Sequence, residues 1–286
     1  RPSRLIDVNH LRLDSIEATA DGGLRIGAGA RNSDVANHEL VRRGYPLLSQ
    51  ALLAGASPQL RNMATVGGNL LQRTRCDYFV DPGFEQCNKR HPGSGCAARA
   101  GLNRTHAILG ASPQCVAVNP SDMNVALVAL DATVIARSAS GERKIPIGEF
   151  HRLPQDHPEI DTTLRRDELI VAVDLPPSAY AKHFHYLKLR DRASFAFALV
   201  SVAVGLDVAD GAIRSGRIVL GGVAHKPWPA QKASSALAQK RIDAIDTTAI
   251  AALALEGAQP LAQNGYKIAL ARNAVERALR QAVEAA

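Results

Sequence analysis

The spacing of apolar and polar positions changes period several times along the chain, and those changes mark its elements. Residues 5–8 read as a short strand, and residues 15–18 and 24–28 as a hairpin about Asp21-Gly22, because period-two segments around an Asp-Gly pair fit a tight turn. Ser33 is placed to cap a helix running to about Arg43 and stopped by Gly44 and Pro46. A second helix over 47–54 carries apolar residues at 47, 48, 51 and 52. Past a glycine- and cysteine-rich middle, Asn119-Pro120-Ser121-Asp122 opens a helix with Met123, Leu127 and Leu130 on one face. Strands follow at 133–137 and 144–147, joined at Ser140-Gly141, and at 169–175. Between them residues 151–161 form a polar, proline-bearing loop in which His151 and His157 read as surface side chains.

Pro176-Pro177 is the best boundary in the chain. Beyond it, residues 183–190 form a strand with Phe184, Tyr186 and Lys188 toward one face and His185, Leu187 and Leu189 toward the other. A further strand over 195–208 turns at Asp210-Gly211 and returns over 217–223. Helices near 248–255 and 266–283 close the chain, the second with Leu270, Val275, Leu279 and Val283 at helical spacing. The fold class is therefore α+β, with a first domain over 1–177 and a smaller α+β domain over 178–286, an antiparallel sheet with helices on one face. No G-x-G-x-x-G turn joins a strand to a helix, so a Rossmann nucleotide fold has no support.

Composition narrows the function classes. With 46% apolar and 21% charged residues the chain is an ordinary globular one, and its longest apolar run, 195–206, is too short to cross a bilayer. The net charge of +7 is spread along the chain and aromatics are only 4%, which argues against a nucleic-acid platform. An acidic partner subunit or an anionic cofactor accounts for it better.

Chemistry is concentrated between Arg61 and Cys115. Thr65-Val66-Gly67-Gly68-Asn69 could form an anion nest for a cofactor phosphate, since glycine reaches positive φ and permits close approach; a bare Gly-Gly pair is also an ordinary tight turn. All four cysteines, Cys76, Cys87, Cys96 and Cys115, fall at C-x10-C-x8-C-x18-C spacing among loop residues and cations such as Lys89, Arg90 and Arg99. Such surroundings favour thiolates. There is no C-x-x-C, and the spacing alone leaves an iron–sulfur cluster, zinc and two disulfides equally open. Ser121 is a good N-cap and Asp122 suits a helix N-terminus, Lys188 on a strand is by default solvated, and Trp228 is either core or an interface anchor.

The strings ASPQLRNMATVGGNLLQRTRC, CNKRHPGSGC, NPSDMNVAL, YLKLRDRASFAFALVSVA and LGGVAHKPW resemble the FAD-binding subunit of the molybdenum hydroxylases, within the xanthine dehydrogenase family. They are most similar to the periplasmic aldehyde oxidoreductase type, whose flavin subunit carries an extra iron–sulfur cluster. The resemblance implies an FAD-binding domain of the two-part p-cresol methylhydroxylase type with an iron–sulfur insertion at 76–115, followed by a C-terminal domain like that of CO dehydrogenase flavoprotein. It implies FAD held by Thr65, Val66, Gly67, Gly68 and Asn69 at phosphate and ribityl oxygens, Ser121 and Asp122 at the ribityl end, Ile170 against the ring and Lys188 as a nearby cation. Cys76, Cys87, Cys96 and Cys115 would ligate a [4Fe–4S] cluster. The family's opening segment carries an A-G-G-T-type loop that also contacts the FAD pyrophosphate, and residues 1–8 match the stretch just downstream of it.

By the same resemblance, an aldehyde would be oxidised on a molybdenum-cofactor-binding large subunit, and electrons would pass through [2Fe–2S] clusters on a small subunit to FAD here and on to an external acceptor. The expected complex is a heterotrimer, periplasmic and exported with a partner, with the cytoplasm as the other possibility. No residue reads as an acid–base catalyst or nucleophile. The competing expectation is a scaffold subunit without flavin, whose cysteines form a structural metal or cluster site.

Overall fold

The computed structural model describes residues 4–285, organised around two antiparallel sheets. The first has the order β1-β2-β5-β3-β4, built from β1 (Ile16–Ala18), β2 (Leu24–Gly27), β3 (Thr133–Ser138), β4 (Gly141–Pro146) and β5 (Leu169–Leu175). β5 sits centrally because its run of apolar side chains is buried almost throughout, and it pairs with β2 on one side and β3 on the other. Between β2 and β3 the chain leaves the sheet to form a group of short helices and the cysteine segment, so the Gly-Gly segment, all four cysteines and the Ser121-Asp122 pair lie in one excursion.

The second sheet, β6-β7-β8-β9, comprises β6 (His183–Leu189), β7 (Val200–Ala209), β8 (Ala212–Gly221) and the short β9 (Trp228–Pro229). Asp210 and Gly211 join β7 to β8 with φ of 52° and 73°, as a two-residue hairpin turn twisted to match its strands requires. Helices Thr247–Ala254 and Tyr266–Glu284 join this sheet in a second core, the latter through Ala271, Ala274, Val275, Ala278, Leu279 and Ala282. Small side chains let that long helix lie close to the strands. No helix among the described residues is long and apolar enough to cross a membrane.

The helix Asp122–Ala129 is the seam between the two halves: all eight of its residues are buried. Tyr186, Ala203 and Val219 of the second sheet join the core that this helix shares with the first domain. Gly221 lies at the closest approach, where a Cβ would meet Val125 Cγ2 at 2.6 Å and also the Ser201 hydroxyl.

Several expectations are corrected. Residues 5–8 form no strand; Leu5 and Ile6 are 87% and 76% exposed, and a strand needs a neighbour for its backbone groups. The single helix expected from Ser33 is two, Asn32–Asn37 and Glu39–Gly44. It breaks at His38, whose ψ of 136° is extended and whose side chain accepts the Leu40 N–H, capping the second helix. The strand expected from Phe195 starts only at Val200, since Phe195 has a φ of 51° that a strand cannot hold. His151 is buried rather than on the surface, because its Nε2 meets the Leu70 carbonyl at 2.9 Å and lies 3.2 Å from the Asn124 amide.

Candidate functional site

A cleft of about 530 Å³ lies alongside the seam, within the usual size range of a small-molecule site. One side comes from the helix Pro46–Ala54 and the turn after it, another from Thr65, Gly68 and Asn69, and its floor from Asp122 and Met123. Phe195 and Phe197 close it from the second domain, and both remain more than half exposed. Arg61, Arg75 and Arg192 line it against a single carboxylate, Asp122, so the field within favours an anion. Arg75 also lies over the Phe197 ring at 5.5 Å.

The Gly-Gly segment is a short helix, Val66–Leu70, rather than a positive-φ nest. Its first N–H groups are already occupied: Val66 donates to Ala30 O, Gly67 to Ala28 O and Gly68 to the Thr65 hydroxyl. The glycines are there for space, since a Cβ on Gly67 would press on Ala28 at 3.2 Å and one on Gly68 on Thr65 Oγ1 at 3.1 Å. Thr65, Gly68 and Asn69 therefore face the cleft, while Val66 is core and Gly67 packs on the β2 side.

Ser121 and Asp122 occupy the N-terminus of the seam helix. The Ser121 hydroxyl accepts the Asn124 N–H at 3.0 Å and donates to Asn69 Oδ1 at 2.8 Å, tying the cap to the cleft wall. The Asp122 carboxylate, at the cleft floor, is paired with the second domain: Lys188 Nζ donates to its Oδ2 and the Tyr186 hydroxyl to its Oδ1, each at 2.8 Å. Lys188 also donates to Ala54 O at 3.1 Å, as does Arg190 at 2.9 Å. Burial pushes the Asp122 carboxyl above its ordinary range, opposed by Lys188 and the hydrogen bonds. The Tyr186 phenol is pushed well above its usual value by burial and the adjacent carboxylate, so it stays a neutral donor. Lys188 is not solvated and does not line the cleft; it stands behind Asp122. Ile170 lies in the first core, also off the cleft wall.

The four cysteines form a second centre. All are free, and all line one small cavity together with Phe79 and Val116. Cys87 and Cys96 face each other across an antiparallel bridge. The loop is held by side chains bonding to backbone: Arg90 donates to the carbonyls of Tyr78, Phe79, Asp81 and Phe84, and Asn103 to those of Ala98, Arg99 and Gly101. Lys89, almost fully buried, donates to Pro158 O at 2.7 Å and pairs with Asp161. At two of the four cysteines burial works against the thiolate: it pushes Cys76 up to about 12, opposed by the Phe79 and Tyr78 N–H groups, and Cys115 up to about 11, opposed by the Ala117 N–H and Lys89. Among the described residues no three His, Cys, Asp or Glu side chains converge closely enough for a single ion.

Residues 1–178 match the family model described as the FAD binding domain in molybdopterin dehydrogenase, and residues 183–282 match the CO dehydrogenase flavoprotein C-terminal domain. The aldehyde oxidoreductase FAD-binding subunit PaoB of Escherichia coli (strain K12) is 52% identical over 98% of this chain and 85% of its own length. The chain belongs to the FAD-binding subunits of the molybdenum hydroxylases. As such it is an oxidoreductase subunit of the aldehyde oxidoreductase and xanthine dehydrogenase family. The glyceraldehyde dehydrogenase medium chain of Sulfolobus acidocaldarius is 27% identical over 85% of this chain and 68% of its own. In fold the subunit is similar to the carbon monoxide dehydrogenase of Hydrogenophaga pseudoflava, with a TM-score of 0.71 over 96% of this chain and 80% of that one at 24% identity.

Sequence reasoning missed four cleft residues, Arg61, Arg192, Phe195 and Phe197, and the partners behind the floor, buried Tyr186 and half-buried Arg190. Tyr186, Lys188 and Arg190 are two residues apart along one strand direction, which was a readable signal. The phenylalanines gave none, because Phe195-Ala196-Phe197 alternates as a strand does.

Proposed function

We propose that this chain is the FAD- and [4Fe–4S]-bearing electron-transfer subunit of a heterotrimeric molybdenum hydroxylase that oxidises aldehydes to carboxylic acids. Its partners in this reading are a large subunit with the molybdenum cofactor, where substrate reacts, and a small subunit with [2Fe–2S] clusters. Electrons leave this chain for an external acceptor, and the complex is periplasmic, exported on a partner's signal. The 52% identity to a protein named as an aldehyde oxidoreductase subunit supports the substrate class.

The observation that carries the reading is the cleft, an arginine-lined space with one apolar wall and a polar floor beside a cysteine centre. The residues present fit FAD: Thr65 and Asn69 offer side-chain hydrogen bonds, Gly68 leaves room on the wall for close approach, and Arg61, Arg75 and Arg192 supply positive charge for a pyrophosphate. Bound FAD supplies a redox centre that can exchange both pairs of electrons and single electrons. Asp122 is held at the cleft floor by Lys188 and Tyr186, so its carboxylate cannot swing away, and Lys188 keeps a positive charge one residue behind the wall. The four cysteines fit a cluster in donor type and number, and the hydrogen-bonded loop fixes their backbones.

The test is anaerobic mixing of the purified complex with an aldehyde while the flavin band is followed. Bleaching that needs both aldehyde and the partner subunits supports the reading. A flavin band that responds to dithionite but never to any aldehyde would refute the substrate class.

A further inference from the structure

Among the described residues, His106 is the one polar side chain bonded to a cysteine sulfur of the second centre by its own side-chain atom. Its Nε2 lies 3.1 Å from Cys76 Sγ. The ring is 4% exposed, packed near Tyr78 at a centroid distance of 6.5 Å, and its Nδ1 has no partner. Its position is fixed from both sides of the chain. The His106 N–H bonds to Asn103 O at 3.1 Å, and its carbonyl receives hydrogen bonds from Asn264 at 3.1 Å and from the buried Lys267 at 2.9 Å. Lys267 also donates to Thr105 O and Gly222 O, so a residue of the second domain's long helix clamps this stretch in place. Such an arrangement holds an imidazole against a sulfur with little freedom to leave.

We infer that His106 is a positioning residue that donates an Nε2–H···S hydrogen bond to the Cys76 sulfur and so raises the reduction potential of the iron–sulfur cluster. The inference rests on the proposal that these four cysteines carry a cluster. A cysteine that ligates iron has given up its proton, so its sulfur can only accept, and the ring nitrogen facing it must be the one bearing hydrogen. That choice also leaves the unpartnered Nδ1 as an acceptor rather than as a stranded donor. A hydrogen bond to a ligand sulfur stabilises the extra electron of the reduced cluster, and such bonds are among the determinants of cluster potential.

The experiment is a redox titration of the cluster's electron paramagnetic resonance signal, with iron content, in the assembled complex carrying wild-type chain, His106→Leu or His106→Gln. Glutamine can place an amide N–H near the position of Nε2, whereas leucine has none. Expected is a lower midpoint in His106→Leu, about tenfold in the one-electron equilibrium constant or about 59 mV, with His106→Gln returning most of it at unchanged iron content. Leucine and glutamine variants that both keep their iron and the wild-type midpoint would overturn the inference. If His106→Leu loses its iron, His106→Asn, whose amide stops short of Nε2, takes its place with the same expected drop and the same contradicting result. A wild-type complex without iron would instead bring down the cluster reading, and this inference with it.

Discussion

Lys188 and Asp122 meet at 2.8 Å across the seam between the two domains, with side chains only 4% and 7% exposed. One comes from β6 and the other from the first turn of the seam helix, so a single ion pair sets both the domain contact and the cleft floor. Removing either partner leaves a buried charge uncompensated. Lys188→Met is therefore expected to cost about 3–5 kcal/mol of stability, read as a lower urea midpoint, and to lower flavin content. Adding Asp122→Asn should recover part of the stability, because the stranded carboxylate goes with it. Additive losses in the double variant would show that the two residues act separately.

Two buried histidines make stability fall with acid. Burial pulls His151 and His225 down to about 4 from the ordinary 6.5. Between those values the unfolded chain takes up protons that the folded state refuses, so stability is complete above pH 6.5 and is lost as pH falls toward 4. At 1.36 kcal/mol per pKa unit the loss is at most about 3 kcal/mol for each histidine. Urea midpoints measured from pH 7 to 4.5 should decline steadily below 6.5; a flat profile down to pH 5 would contradict neutral burial.

How much of this was legible in the sequence depends on the range of the interactions. β5, the hairpin of β1 and β2 and the Ser121 cap follow from local pattern and appear where that pattern puts them. The shared face of Tyr186 and Lys188 was likewise readable from strand alternation, but their partner was not, since Asp122 lies more than sixty positions away. Lys188 by itself looks like any solvated lysine. His151 misled for the same reason: its loop is polar, and what buries it is the distant Leu70 carbonyl and Asn124. The Gly-Gly pair was legible as important but not as what it is, because a glycine chosen for close packing and one chosen for positive φ are the same letter.

Gly221 tests the seam by packing alone. An alanine Cβ there would fall 2.6 Å from Val125 Cγ2 with backbone on both sides held in the sheet. Gly221→Ala should destabilise by about 1–3 kcal/mol, the usual cost of overpacking, while a surface glycine such as Gly141→Ala tests only its turn. A thermal midpoint unchanged in Gly221→Ala would mean that the domains separate more easily than this seam allows.

Cys87 tests the second centre. It is buried and faces Cys96 across a bridge, so Cys87→Ser removes one sulfur with little change in shape. The expected result is loss of iron, with faster proteolysis within 76–115 and flavin content retained. Full iron content in the variant would exclude Cys87 as a ligand.

The most direct measurement is the absorption spectrum of the purified wild-type chain in its complex, with FAD and iron assayed on the same sample before and after dithionite. One flavin and about four irons for this chain, beyond those of the partner subunits, with both bands bleaching on reduction, is the predicted result. Flavin with no additional iron would contradict the cysteine centre as a cluster site, and iron without flavin would contradict the cleft as the FAD site.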